Sequence, residues 1–136
     1  MPENSGDDEY EVKAIKHVLD RRVFKANSPI FIEGDKGGVA YILLRGDVTI
    51  YAGFQTPNQK KLMTMSTGQM FGELSLMADE RRTASAYTEN GCELLLISQA
   101  KLQSKLDEAD PFLKYWIEYL SKRVIDLTAP KDMGGA

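Results

Sequence analysis

The chain has 136 residues, 43% of them hydrophobic and 27% charged, and its 17 Lys and Arg against 20 Asp and Glu leave a formal net charge of −3. That length is expected to hold one core and no separate output domain, so whatever this chain detects, a partner acts on the result. The acidic balance argues against sequence-independent nucleic-acid binding, and the single His and single Cys are too few for a zinc site or for a disulfide within the chain.

In chain order, residues 1–10 read as a polar, acidic tail with neither the basic start nor the apolar stretch of a secretory signal. No apolar run approaches the roughly 20 residues of a membrane span. From Glu11 to Leu19 the apolar positions Val12, Ile15, Val18 and Leu19 predict a short amphipathic helix. Beyond it, short apolar runs alternate with Gly, Pro, Asn and Asp turn signals. The runs are Pro29 to Ile32, Val39 to Leu44, Val48 to Tyr51, Leu62 to Met65, Thr83 to Tyr87 and Glu93 to Ile97. This spacing is that of a β-sandwich or barrel, without the helices that parallel βαβ units require.

The last third returns to helical chemistry. Gln99 to Asp107 predicts a short helix, and Asp110 as N-cap with Pro111 at the first helical position opens a longer one that runs to about Leu127. Phe112, Trp116, Leu120, Val124 and Leu127 share one face. That face either packs on the chain's own sandwich, which the spacing alone favours, or covers a ligand or pairs with a second copy. Residues 11–128 form the expected domain, and 129–136 a flexible tail. Cys92, beside Leu94, Leu95 and Leu96, reads as a core thiol in a reducing, cytoplasmic setting.

The most informative stretch runs from Phe71 through Gly72, Glu73, Leu74, Ser75 and Leu76 to Arg82, Thr83 and Ala84. Gly72 permits unusual backbone angles, and a short turn starting there would aim free N–H groups outward, as an anion site needs. Arg82 lies nine positions after Glu73. If the two meet across a turn, an anion fits between amide donors and a guanidinium, and the Glu73 carboxylate is left to accept from a neighbouring hydroxyl. A lone Glu–Arg pair in a loop is worth only ~0 to 1 kcal/mol and carries no function; here the surrounding residues change that.

The stretch resembles the phosphate-binding cassette of the cyclic nucleotide-binding domain family, whose pattern is Phe-Gly-Glu-Leu, a small residue, Leu, a few variable positions, then Arg-small-Ala. A second family feature, a Gly-Asp-x-Gly turn with a following apolar strand and a Gly, is present in part as Glu33-Gly34-Asp35, Gly37, Tyr41 to Leu44 and Gly46. The resemblance extends over roughly Val12 to Leu127. It implies a mainly β fold with flanking helices: a jelly roll (double-stranded β-helix) with an N-terminal helix and C-terminal short and long helices. It further implies a cyclic nucleotide sensor without catalytic residues, metal or cofactor, whose ligand is cAMP or cGMP.

The implied ligand-binding set is Phe71, Gly72, Glu73, Leu74, Ser75, Arg82, Thr83 and Ala84. Gly72 and Leu74 would offer amides, Glu73 would hold the ribose 2′-hydroxyl, Arg82 would neutralise the cyclic phosphate, and Thr83 and Ala84 would complete the phosphate contacts. The long helix would close over the base and signal to a downstream protein partner. Two departures stand out: Arg81 occupies a position where many members carry Pro, and Ser75 replaces a frequent Ala. The spacing from Glu73 favours Arg82 over Arg81. Thr83 leaves cAMP and cGMP both open, with cAMP the commoner case. A ligand-blind interaction module using Trp116 and its neighbours, including a homodimer through the long helix, is the alternative. A cupin-type enzyme would need more His than His17, and the residues after Leu127 are too few for a DNA-reading helix-turn-helix.

Overall fold

The computed structural model describes residues 12–78 and 80–128; the two expected tails lie outside them. Eight strands follow one another as β1 (Asp20–Phe24), β2 (Ser28–Phe31), β3 (Val39–Gly46), β4 (Thr49–Ala52), β5 (Lys60–Thr64), β6 (Met70–Phe71), β7 (Ser85–Thr88) and β8 (Cys92–Ser98). They form two four-stranded antiparallel sheets, ordered β1-β8-β3-β6 and β2-β7-β4-β5. Consecutive strands alternate between the sheets except at β4 and β5, which pair as a hairpin within one sheet, and this arrangement is the jelly roll. Helical residues 12–15 (α1) precede the strands, and α2 (Gln99–Asp107) and α3 (Pro111–Thr128) follow them.

The core lies between the sheets. Tyr41, Leu43, Val48, Met65, Phe71, Ala86, Cys92 and Leu94 are buried there, and Phe31, Tyr41 and Phe71 bring their rings within 5.4–6.2 Å of each other. The alternate residues of β3 and β8, Ile42 and Leu95, point to the opposite face of their sheet, where Val12 and Ile15 of α1 cover them. Both faces of β3 are therefore buried, which is why its sequence is a continuous apolar run instead of an alternating one.

Beside the two-residue β6, which no apolar run marked, two elements at the start of the chain differ from the sequence reading. Helical structure ends at residue 15 and a turn follows, closed by the Val18 amide donating to the Ile15 carbonyl at 3.0 Å, so Val18 is 53% exposed and not on the buried face. The turn frees Asp20–Phe24 to pair with β8 from Asp20↔Leu96 to Phe24↔Cys92, a strand the sequence reading lacked. Its pattern hides it: β1 is an edge strand, and four of its five residues are exposed. The C-terminal expectations fared better. α2 has the predicted bounds, and the Asp110 carboxylate accepts from the amides of Phe112 at 2.8 Å and Leu113 at 3.4 Å, as an N-cap does.

The expectation that the Phe112–Leu127 face packs on the chain's own sandwich is overturned. No residue of α3 is buried. Phe112, Trp116 and Leu127 are 65%, 49% and 75% exposed. Helical period shows which residues share a face, not what lies opposite it. From that face Leu120 and Val124, with Ile117 and Ile125 beside them, border a cleft of about 270 Å³ against Leu74, Leu76, Met77 and Leu102. Its first turn is tied to α2 by the Lys114 ammonium, 3.0 Å from the Asp107 carboxylate.

Candidate functional site

The site begins with a backbone event at Gly72. This residue has φ +76°, a left-handed conformation that side chains resist, and it caps a 3-10 turn over Glu73–Leu76. The first bond of the turn runs from the Ser75 amide to the Gly72 carbonyl at 3.3 Å, so the amides of Glu73 and Leu74 precede the hydrogen-bonded part and need partners from outside it. Gly72 has a second reason to lack a side chain: a Cβ there would lie 2.7 Å from Nη1 of Arg82.

Arg82 turns inward. It is 8% exposed and lays its guanidinium over the Phe31 ring at 4.0 Å. Nη2 donates to the Val39 carbonyl at 2.6 Å; Nη1 donates to the Ser75 hydroxyl at 3.2 Å and to the Gly72 carbonyl at 3.4 Å. Nε is buried with no hydrogen-bond partner. Among the described residues no carboxylate lies within ion-pair distance of it. Burial lowers the pKa of the guanidinium, with Tyr41 and Asp35 opposing that shift. A buried positive charge held only by neutral acceptors is incompletely compensated.

The main chain of Arg82 locks the two sequence motifs together. Its amide donates to the Asp35 carbonyl and its carbonyl accepts from the Gly34 amide, both at 2.8 Å. The glycine-rich loop and the cassette thus meet in space at one residue. Arg81, by contrast, is exposed and donates to the Gly34 carbonyl at 3.1 Å. Burial, not spacing, separates the two arginines.

These residues border a cavity of about 670 Å³, within the range of small-molecule sites. All eight residues expected from the sequence line it: Phe71, Gly72, Glu73, Leu74, Ser75, Arg82, Thr83 and Ala84. Phe71 lies at its base as a 4% exposed core side chain, whereas Glu73 and Thr83 are exposed at its rim. The sequence reading missed the apolar wall formed by Ile50, Met63, Met65 and Met70, and although it expected the long helix over the ligand it did not name Ile125 and Thr128, through which α3 reaches the cavity. It also missed Val39 and Phe31, the acceptor and the ring that hold Arg82. Val39 acts through its carbonyl, which any residue would supply, so no side-chain signal marks it. Among the described residues no cluster of His, Cys, Asp and Glu is set to hold a metal ion. No described helix is long and apolar enough to cross a membrane.

Fold and site together define an eight-stranded jelly roll with a cavity, bordered by Arg81, Arg82, Glu73 and Glu80, that opens between a 3-10 turn and a C-terminal helix. Residues 21–109 match the family model of the cyclic nucleotide-binding domain, and the chain belongs to that family. It is similar to the cyclic AMP receptor protein of Thermus thermophilus, 31% identical over 87 residues, covering 64% of this chain and 40% of that protein. It is also similar to the CRP-like protein Clp of Xanthomonas campestris, 31% identical over 114 residues, covering 79% of this chain and 50% of that one. The chain thus spans half or less of the length of these curated relatives. A solved Clp structure, described as that of a c-di-GMP-responsive global regulator, superposes with a TM-score of 0.63 at 28% identity, over 86% of this chain and 59% of that one. The half-site-occupied form of the EAL enzyme Bd1971 superposes with a TM-score of 0.71 at 26% identity, over 79% of this chain and 96% of that one. The cAMP-bound and cGMP-bound forms of Bd1971 give 0.61 and 0.62, each at 27% identity over 77% of this chain and 28% of that one. This chain is accordingly a cyclic nucleotide-binding regulatory domain of the kind carried by the cyclic AMP receptor protein and Clp.

Proposed function

We propose that this chain is a cyclic nucleotide sensor that binds cAMP, or cGMP, in the 670 Å³ cavity and signals through α3. The observation that carries the reading is Arg82: a buried guanidinium beside a small-molecule cavity, with an unpartnered Nε and no carboxylate in reach among the described residues. The cyclic phosphate sits against Arg82 and the amides of Gly72 and Leu74, with Thr83 and Ala84 beside it. The exposed Glu73 carboxylate accepts from the ribose 2′-hydroxyl. The apolar wall of Ile50, Met63, Met65 and Met70 takes the base, and Ile125 and Thr128 bring the end of α3 to the same cavity. Ligand contacts made only in one position of α3 shift its population, and a protein partner in the cytoplasm reads the change. Binding of this kind makes and breaks no covalent bond.

The outer stripe of α3 supports a further element, a homodimer. Phe112 stacks on Trp116 at 6.1 Å and Tyr115 on Tyr119 at 6.2 Å, all four well exposed, and a second copy would bury them.

Calorimetric titration with cAMP, cGMP, c-di-GMP and linear 5′-AMP tests the reading. Saturable binding of a cyclic mononucleotide, with 5′-AMP weaker, is expected. No heat with either cyclic mononucleotide overturns it, and binding of c-di-GMP alone assigns the cavity to the larger ligand.

A further inference from the structure

We infer that Ser75 is a positioning residue that acts on the ligand only through Arg82, an inference that rests on the cyclic nucleotide reading of the cavity. A serine hydroxyl has one proton to donate. The shorter acceptor for that proton is the Gly72 carbonyl at 2.9 Å, with the Val39 carbonyl at 3.5 Å, and a lone pair accepts from Nη1 of Arg82 at 3.2 Å. At 8% exposure Ser75 has no donor left for a phosphate. Its hydroxyl lines the cavity as part of the cradle beneath the guanidinium.

Two points of attachment fix the plane of a flat group. Nη2 is held by the Val39 carbonyl at 2.6 Å on one side, and Nη1 by Ser75 on the other, with the Phe31 ring against one face of the guanidinium. Without the hydroxyl, Nη1 keeps only the longer 3.4 Å contact to Gly72. The guanidinium is then held less firmly against rotation about its bond to the chain, and part of its orientation must be restored on binding.

Ser75 is itself anchored. Its carbonyl accepts from Nε2 of Gln99, the first residue of α2, at 3.1 Å. Its Cβ lies so close to Gly37 that a side chain there would come within 2.7 Å of it. These contacts fix the backbone and the Cβ that carry the hydroxyl.

A double-mutant cycle read by calorimetric titration with cAMP tests the assignment. Ser75→Ala is expected to weaken binding about three- to tenfold, the effect of losing one neutral acceptor. In an Arg82→Ala background the same substitution is expected to add nothing. Ser75→Cys, similar in size with a weak acceptor, is expected to follow Ala. Wild-type affinity in Ser75→Ala, a full additive loss in the Arg82→Ala background, or wild-type affinity in Ser75→Cys each overturns the proposal. Arginine side-chain 15N NMR on the unliganded protein separates this proposal from the reading beneath it. A sharp Arg82 guanidinium signal in wild type that broadens in Ser75→Ala supports positioning even if no nucleotide binds; identical signals overturn it.

Discussion

Removing Arg82 is the most direct perturbation of the site. In Arg82→Ala the ligand loses a charge-assisted contact of about 1.5 to 3 kcal/mol, which raises Kd roughly 10- to 100-fold. The same guanidinium now makes contacts at 2.6, 3.2 and 3.4 Å to neutral acceptors and none to a carboxylate among the described residues, so an arriving anion meets no built-in competitor. Thermal unfolding with nucleotide at about one hundred times the wild-type Kd converts this into a melting shift. Such a concentration stabilises wild type by about 2.7 kcal/mol, on the order of 10 °C for a domain of this size. In the variant the same concentration leaves about 0.4 to 1.4 kcal/mol, roughly 1.5 to 5 °C. An undiminished shift in Arg82→Ala refutes the assignment of Arg82 to the phosphate, whatever the variant's own melting temperature.

Four further outcomes follow from other parts of the structure. Gly37→Ala places a Cβ 2.7 Å from both the Glu80 carbonyl oxygen and the Ser75 Cβ, and urea unfolding is expected to show a loss of about 1 to 3 kcal/mol; unchanged stability would contradict the close packing. Burial raises the pKa of the Cys92 thiol despite its bond to Thr88, so a disulfide reagent at pH 8 is expected to label it only after unfolding, and rapid labelling of the native protein would count against a core thiol. The Lys114 and Gln103 hydrogen bonds lower the pKa of Asp107, so its contribution to stability is present above the unfolded aspartate value and lost as pH falls through the lower folded value. The melting difference between wild type and Asp107→Asn is therefore expected to close in acid; a difference that persists below the carboxylate range excludes the ion pair as its source. For the outer stripe of α3, wild type is expected to elute as a dimer and Trp116→Ala as a monomer, and a monomeric wild type would remove the proposed homodimer.

The sequence alone marked a stretch that lines one cavity, because Phe71 to Ser75 and Arg82 to Ala84 lie close together in the chain. It also determined α2 and the start of α3, where local capping by Asp110 decides the matter. β1 stayed hidden, since an edge strand with four exposed residues of five shows no alternation. Tertiary structure decided what depends on distant partners: that Arg82 and not Arg81 is buried, and that Val39 and Phe31, far away in sequence, hold it. It likewise decided that Phe112, Trp116 and Leu127 on the apolar face of α3 lie open to solvent. Residue types and spacing fix which groups share a turn or a face. Only the folded chain sets what stands across from them, because burial and desolvation belong to the surroundings of a side chain and not to the side chain itself.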